Sequence, residues 1–246
     1  MKAVHEREEW LPGWELRWKR PIFLFEFMFT WLCGGMIALG RELFDLGALP
    51  DFKGPESAEL MQNPVLKKLH GDGTSGNFAC RYWFLFGWII VTVRGSDKSR
   101  LGKRSFVFAK ADWKLRKVYV RAITIFGDGS SGATINPQPS TDFLLVAAAF
   151  KASKRLKVWA HPHVPSGLSE DDPLVCRIAL HYPSKDAKDF KALSFAVSVA
   201  LIIDLVDHDP RKVPNGEVDS MIVLGENFVE VREIILSLIR NTACAH

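Results

Sequence analysis

Residues 21–40, PIFLFEFMFTWLCGGMIALG, carry a single charge, Glu26, and so force the first decision about this chain. A bilayer core of roughly 30 Å takes about 20 apolar residues of helix, so the stretch is long enough to cross one. Its Ile, Leu and Phe side chains together favour insertion by about 4 kcal/mol, against a cost of roughly 2.5 to 3.5 kcal/mol for an acid at the helix centre. Glu26 stands nearer the N-terminal end, where it costs less or faces a partner. Trp14 and Trp18 lie four apart beside Arg17, Lys19 and Arg20, which reads as an interfacial aromatic belt with basic anchors. Gly34 and Ala38 form a small-xxx-small pair on which a second helix can close. A membrane span packed through Glu26, Gly34 and Ala38 is the favoured reading. Its rival is a helix buried in a protein core. A cleaved signal peptide fits less well, because Glu6, Glu8 and Glu9 stand where a basic segment belongs.

Charge divides the chain into unequal thirds. Residues 1–80 hold 9 Lys/Arg and 11 Asp/Glu, residues 161–246 hold 8 and 13, and residues 81–160 hold 15 and 4. The middle third is thus strongly basic inside a protein whose net charge is only +4. The four cysteines, Cys33, Cys80, Cys176 and Cys244, are far apart and form no CxxC, which removes zinc-ribbon and thioredoxin-type chemistry. They read as reduced core thiols, a composition that suits a reducing compartment.

Residues 1–45 are expected to form an interfacial segment and anchor helix, 46–76 a linker with a short helix over 57–70, and 77–246 an α+β domain. The second apolar run, NFACRYWFLFGWIIVTV (77–93), fits one or two buried strands better than a second span, because its end is β-branched. Strands follow at 105–108, 118–126, 142–150 and 155–160, the last with Leu156, Val158 and Ala160 inward and Arg155, Lys157 and Trp159 outward. Another strand is expected at 174–181. A core helix then runs over 184–206, a strand over 221–224 and an amphipathic helix over 226–239. Strand-rich first and helical last, the domain reads as a mostly antiparallel sheet with C-terminal helices.

Chemistry-bearing motifs are sparse. GDGTSG (71–76) and GDGSSG (127–132) both match GxGxxG, but neither stands between a strand and a helix, so both read as turns, with a backbone nest for phosphate as the lesser alternative and the cofactor unknown. His161 and His163, with Glu170, Asp171 or Asp172 nearby, could ligate a metal, yet no third histidine has a ligand spacing. Asp204, Asp207 and Asp209 could gather a divalent cation for phosphoryl chemistry, or simply form a charged helix exit. Nucleophile motifs are absent.

The basic middle is the strongest signal. Arg94, Lys98, Arg100, Lys103, Arg104, Lys114, Arg116, Lys117 and Arg121, with Arg155, Lys157 and Trp159, would give a cationic aromatic sheet face. Such a face suits anionic lipid at a membrane surface or an acidic partner subunit. The favoured function is therefore a membrane-anchored, non-enzymatic subunit or adaptor of a membrane assembly. The alternative is a soluble protein binding nucleic acid or nucleotide through residues 94–159, and a weaker third is a metal-dependent phosphoesterase.

Overall fold

The computed structural model describes residues 14–49, 76–127, 137–140, 142–164, 212–214 and 221–243. Among them, nine strands join one mixed sheet: β1 (Glu15–Trp18), β2 (Ile22–Leu24), β3 (Asn77–Arg81), β4 (Ile89–Thr92), β5 (Phe106–Asp112), β6 (Lys117–Ile125), β7 (Val158–His161), β8 (Lys212–Pro214) and β9 (Met221–Gly225). Their order is β1-β6-β5-β4-β3-β7-β9-β8, with β2 also paired to β6. β1 and β2 run parallel to β6, and the other pairs are antiparallel.

Both faces of the sheet are covered, so its central strands are apolar throughout rather than alternating. Ala79, Val91, Val107, Ala109, Val118, Val120 and Trp159 point to one face, where they meet helix α2 (Phe143–Ala152). Phe78, Cys80, Ile90, Phe106, Phe108, Val158 and Val223 point to the other, where they meet α1 (Glu26–Asp45) and α3 (Phe228–Ala243).

Helix α1 is long and apolar enough to cross a membrane by length and composition. It is nevertheless a wall of the core. Phe29, Leu32, Cys33, Met36, Leu39 and Leu43, on a helical stripe, are buried against the sheet. Phe29 meets Phe106 with ring centroids 6.2 Å apart. Gly35 lies so close to α3 that a Cβ there would come within 2.4 Å of the Phe228 ring. Further along, Arg232 of α3 donates to both carboxylate oxygens of Glu42, at 2.7 and 2.6 Å. The expected membrane anchor is therefore corrected: one whole face of the helix packs on strands and a helix of the same chain. Glu26 takes an exposed ion pair with Lys103 at 3.3 Å and is no intramembrane contact. The strands β1 and β2 likewise replace the expected interfacial segment with the edge of the sheet.

Residues 142–150, expected as a central strand, form α2. All of Phe143 to Phe150 are buried, and a helix apolar all round is stable only inside a core. Periodicity cannot separate a short apolar run of this kind from a buried strand. Alanine and leucine favour the helix. Strand β3 holds α2 at its far end: Arg81 donates from Nε to Leu156 O at 2.7 Å and from its two Nη atoms to Phe150 O and Ser153 O. A guanidinium on the last carbonyls is where a cation best opposes the helix dipole.

The 77–93 run supplies two strands, β3 and β4, separated by a single 3-10 turn at Trp83–Leu85. Residues 57–70, 174–181 and 184–206 lie outside the described residues.

Candidate active site

β3 and β7 are neighbours, and their register sets Asn77 opposite His161 at one end of the sheet. Both side chains, with Trp159 two residues earlier, project to the α2 face. Asp142, immediately before the first turn of α2, arrives at the same point. These groups are buried or nearly so, with Asn77 at 3% and His161 at 7% exposure.

The hydrogen bonds assign every role. Trp159 has only a donor, Nε1–H, and gives it to Asn77 Oδ1 at 2.7 Å. That fixes the Asn77 amide, so its Nδ2 faces outward and donates to Asp142 Oδ2. Asp142 Oδ2 also accepts from His161 Nδ1 at 2.7 Å. Asn77 Nδ2 lies 3.3 Å from the same ring nitrogen. With both atoms carrying hydrogens directed at the carboxylate, that approach is a shared partner rather than a bond. Since Nδ1 holds its proton toward Asp142, Nε2 is the basic nitrogen of His161. A histidine oriented by a buried carboxylate, itself held by an amide, is the arrangement that general acid–base catalysis requires. His163 stacks on His161, ring centroids 5.4 Å apart at 16°.

The backbone is drawn tight around this cluster. Gly76 has φ of +89°, and a Cβ there would sit 2.6 Å from His161 O, so only glycine passes. On the other side, Val93 pairs with Pro139 and Ser140 N donates to Thr92 O at 2.9 Å, which brings the 93–105 connection beside Asp142. That connection carries Lys98, buried at 3% exposure, whose Nζ donates to Ser96 O at 2.6 Å and Ser96 Oγ at 3.0 Å. Burial pulls the Lys98 pKa down to about 8, opposed by the negative charges of Asp97 and Asp142.

The residues expected to form one cationic aromatic face are divided between the two ends of the sheet. Trp159, assigned outward, is fully buried and serves Asn77. Arg94, Lys98, Arg100, Lys103 and Arg104 stand at the end of the sheet that carries His161. Lys114, Arg116 and Lys117 stand at the opposite end, at the β5–β6 turn, across the seven residues of β5, about 20 Å. Lys117 pairs with Glu15 at 3.9 Å and Arg155 with Glu226 at 2.5 Å. Arg121 donates to Arg20 O at 2.9 Å and covers the Trp88 ring. Arg94 reaches Gln138 Oε1 at 3.5 Å, while Lys157 is exposed ahead of β7.

Of the two histidines considered as metal ligands, His161 enters the buried cluster. Glu170, Asp171 and Asp172, and likewise Asp204, Asp207 and Asp209, lie outside the described residues. Among the described residues no three His, Cys, Asp or Glu side chains gather as a metal site. The sequence reading passed over Asn77 and Asp142. Each had a signal: a polar residue heading an apolar strand straight after GDGTSG, and an acid after Ser140-Thr141 opening a helix.

No protein-family model matches this chain, and neither does any curated protein sequence. Solved structures do share its fold. YgbL from Escherichia coli, provisionally an aldolase/epimerase/decarboxylase, is 14% identical over 87% of each chain at a TM-score of 0.51. Its counterpart from Klebsiella pneumoniae is 12% identical over 86% of each chain at a TM-score of 0.50. L-Fuculose-1-phosphate aldolase from Thermus thermophilus is 12% identical over 85% of this chain and 89% of that chain, at a TM-score of 0.48. The likeness is one of fold, a mixed sheet with helices on its faces. Together with the packing of α1 in the core, it overturns the membrane-anchored architecture, and with it the membrane adaptor.

Proposed function

We propose that this protein is an enzyme in which His161, poised by Asp142, moves a proton at a carbon beside a carbonyl group of a small polar substrate. The observation that carries this reading is the Trp159–Asn77–Asp142–His161 chain of hydrogen bonds, buried at one end of a closed-in sheet. A tryptophan, an amide and a helix-leading carboxylate here all bear on the orientation of one imidazole, as a general base requires. The reaction class draws on the fold likeness to YgbL, described as an aldolase, epimerase or decarboxylase. All three create or quench a carbanion next to a carbonyl, and all three need a positioned proton donor or acceptor.

In that scheme Nε2 of His161 accepts or delivers the proton. Asp142 holds the ring tautomer and stabilises the imidazolium that forms. Asn77 and Trp159 keep the carboxylate from turning away. The buried thiols Cys33 and Cys80 suit work in the reducing cytoplasm.

The test is proton exchange in deuterated buffer, followed by NMR over a panel of short hydroxy-carbonyl compounds, free and phosphorylated. Wild-type protein should wash out the proton alpha to the carbonyl of at least one of them. His161→Asn and Asp142→Asn should each slow that exchange by roughly 10²-fold or more. Exchange that persists in His161→Asn would refute the assignment.

A further inference from the structure

The packed face of α1 leaves its opposite face unexplained. Phe27, Trp31, Gly34 and Ala38 fall at spacings of four, three and four, which is one seam of a helix pair. Phe27 and Trp31 are 72% and 64% exposed. Above Gly34 there is open space, its nearest neighbour being Thr30 Cγ2 at 3.8 Å, and Ala38 is exposed as well. Large residues thus occupy the N-terminal half of the seam and small ones the C-terminal half.

From this geometry we infer that α1 docks on α1 of a second copy of the chain, antiparallel, about a two-fold axis between Trp31 and Gly34. In that register Phe27 of each copy meets Ala38 of the other, and Trp31 meets Gly34. Each bulky ring enters a gap left by a small residue, and the two-fold repeats the fit. A seam of knobs at one end and holes at the other is complementary to its own reverse. Arg41, the next seam position, then lies near the partner's first helical turn, which carries Glu26.

The surrounding surface is large enough. Phe25 stacks on Phe27 with centroids 5.9 Å apart, and Phe126 links Phe25 to Phe23 at 5.0 and 5.4 Å. On the other flank Trp31 stacks on Phe84 at 5.5 Å, and Trp83 meets Phe84 edge-on at 5.8 Å. Counting about 200 Å² per aromatic side chain, the exposed parts of Phe23, Phe25, Phe27, Trp31, Trp83 and Phe126 amount to on the order of 800 Å². A standard interface buries about 800 Å² per partner. Apolar patches of this size are seldom left open on monomers, and a permanent self-partner covers them from synthesis onward.

Sedimentation equilibrium of the full chain at micromolar concentration should give a dimer or a multiple of one. Trp31→Ser and Gly34→Gln should each weaken it by roughly 30-fold or more while circular dichroism stays unchanged. Gly34 has room for a side chain, so Gly34→Gln folds even if Trp31→Ser does not. For orientation, Phe27→Cys and Ala38→Cys protein should cross-link on oxidation when mixed and not when kept apart. A monomeric wild type overturns the inference, whether or not it binds phosphatidylcholine vesicles. So does an oligomer that both variants leave intact, or cross-linking within either cysteine variant alone.

Discussion

Lys98 carries a charge that the fold tolerates poorly. Its ammonium is buried beside the loop that carries Asp142, and burial lowers its pKa to about 8 from the ordinary 10.5. Between those two pH values the unfolded chain keeps a proton that the folded chain has lost, so this group's contribution to stability rises with pH. The rise is on the order of 3 kcal/mol. Cys33, Cys80 and Tyr82 act the other way: burial raises each pKa, Cys80 to about 12, so their contribution falls once pH passes their unfolded values. Comparing wild type with Lys98→Met by urea unfolding at pH 7 and pH 10.5 cancels the thiols and phenol. The stability difference should shift by about 3 kcal/mol in favour of wild type at the higher pH. The proposed catalytic residues were only half legible at this scale. His161 stood out as a histidine in a short motif, but its partners are 84 and 19 residues away and meet it only through strand register and a helix end.

At the level of elements, α2 shows how a helix is held by one strand. Arg81 grips its last carbonyls while Asn77, four residues earlier on β3, binds Asp142 at its start. Replacing Arg81 by alanine removes three charge-assisted bonds and the contact with the Phe150 ring. We expect Arg81→Ala to cost about 2–4 kcal/mol in urea unfolding. Arg81→Lys should recover less than half, because an ammonium cannot fork across three carbonyls. Elements that alternate or end in clear turns were readable in the sequence: β4, β5, β6, β9 and α3 stand close to where pattern places them. The two failures, α1 as a membrane span and α2 as a strand, share a cause. Both are apolar all round, and uniform apolarity reports burial without saying what does the burying. For α1 the unexpected part is that one side is packed and the other is not.

For the whole molecule, an α1-to-α1 dimer makes unfolding a bimolecular event. The melting temperature should therefore climb as protein concentration rises, and in Gly34→Gln it should not. Scanning calorimetry over a hundredfold concentration range checks this. The expected α+β architecture with its anchor helix gives way to a mixed sheet with helices on both faces, although single strands and the last helix were legible. The true layering was not, because β1 and β2 are strands of only four and three residues whose place beside β6 depends on partners about 100 residues later. One consequence follows from the strand order. Everything from β1 to β6 lies on one side of β3 and everything from β7 to β9 on the other, so the pairing of β3 with β7 is where early and late sequence are sewn together. Asn77 and His161 face each other across that stitch. A growing chain on the ribosome can complete its early hairpins long before then, yet it cannot set His161 against Asn77 until its second half arrives to close the sheet.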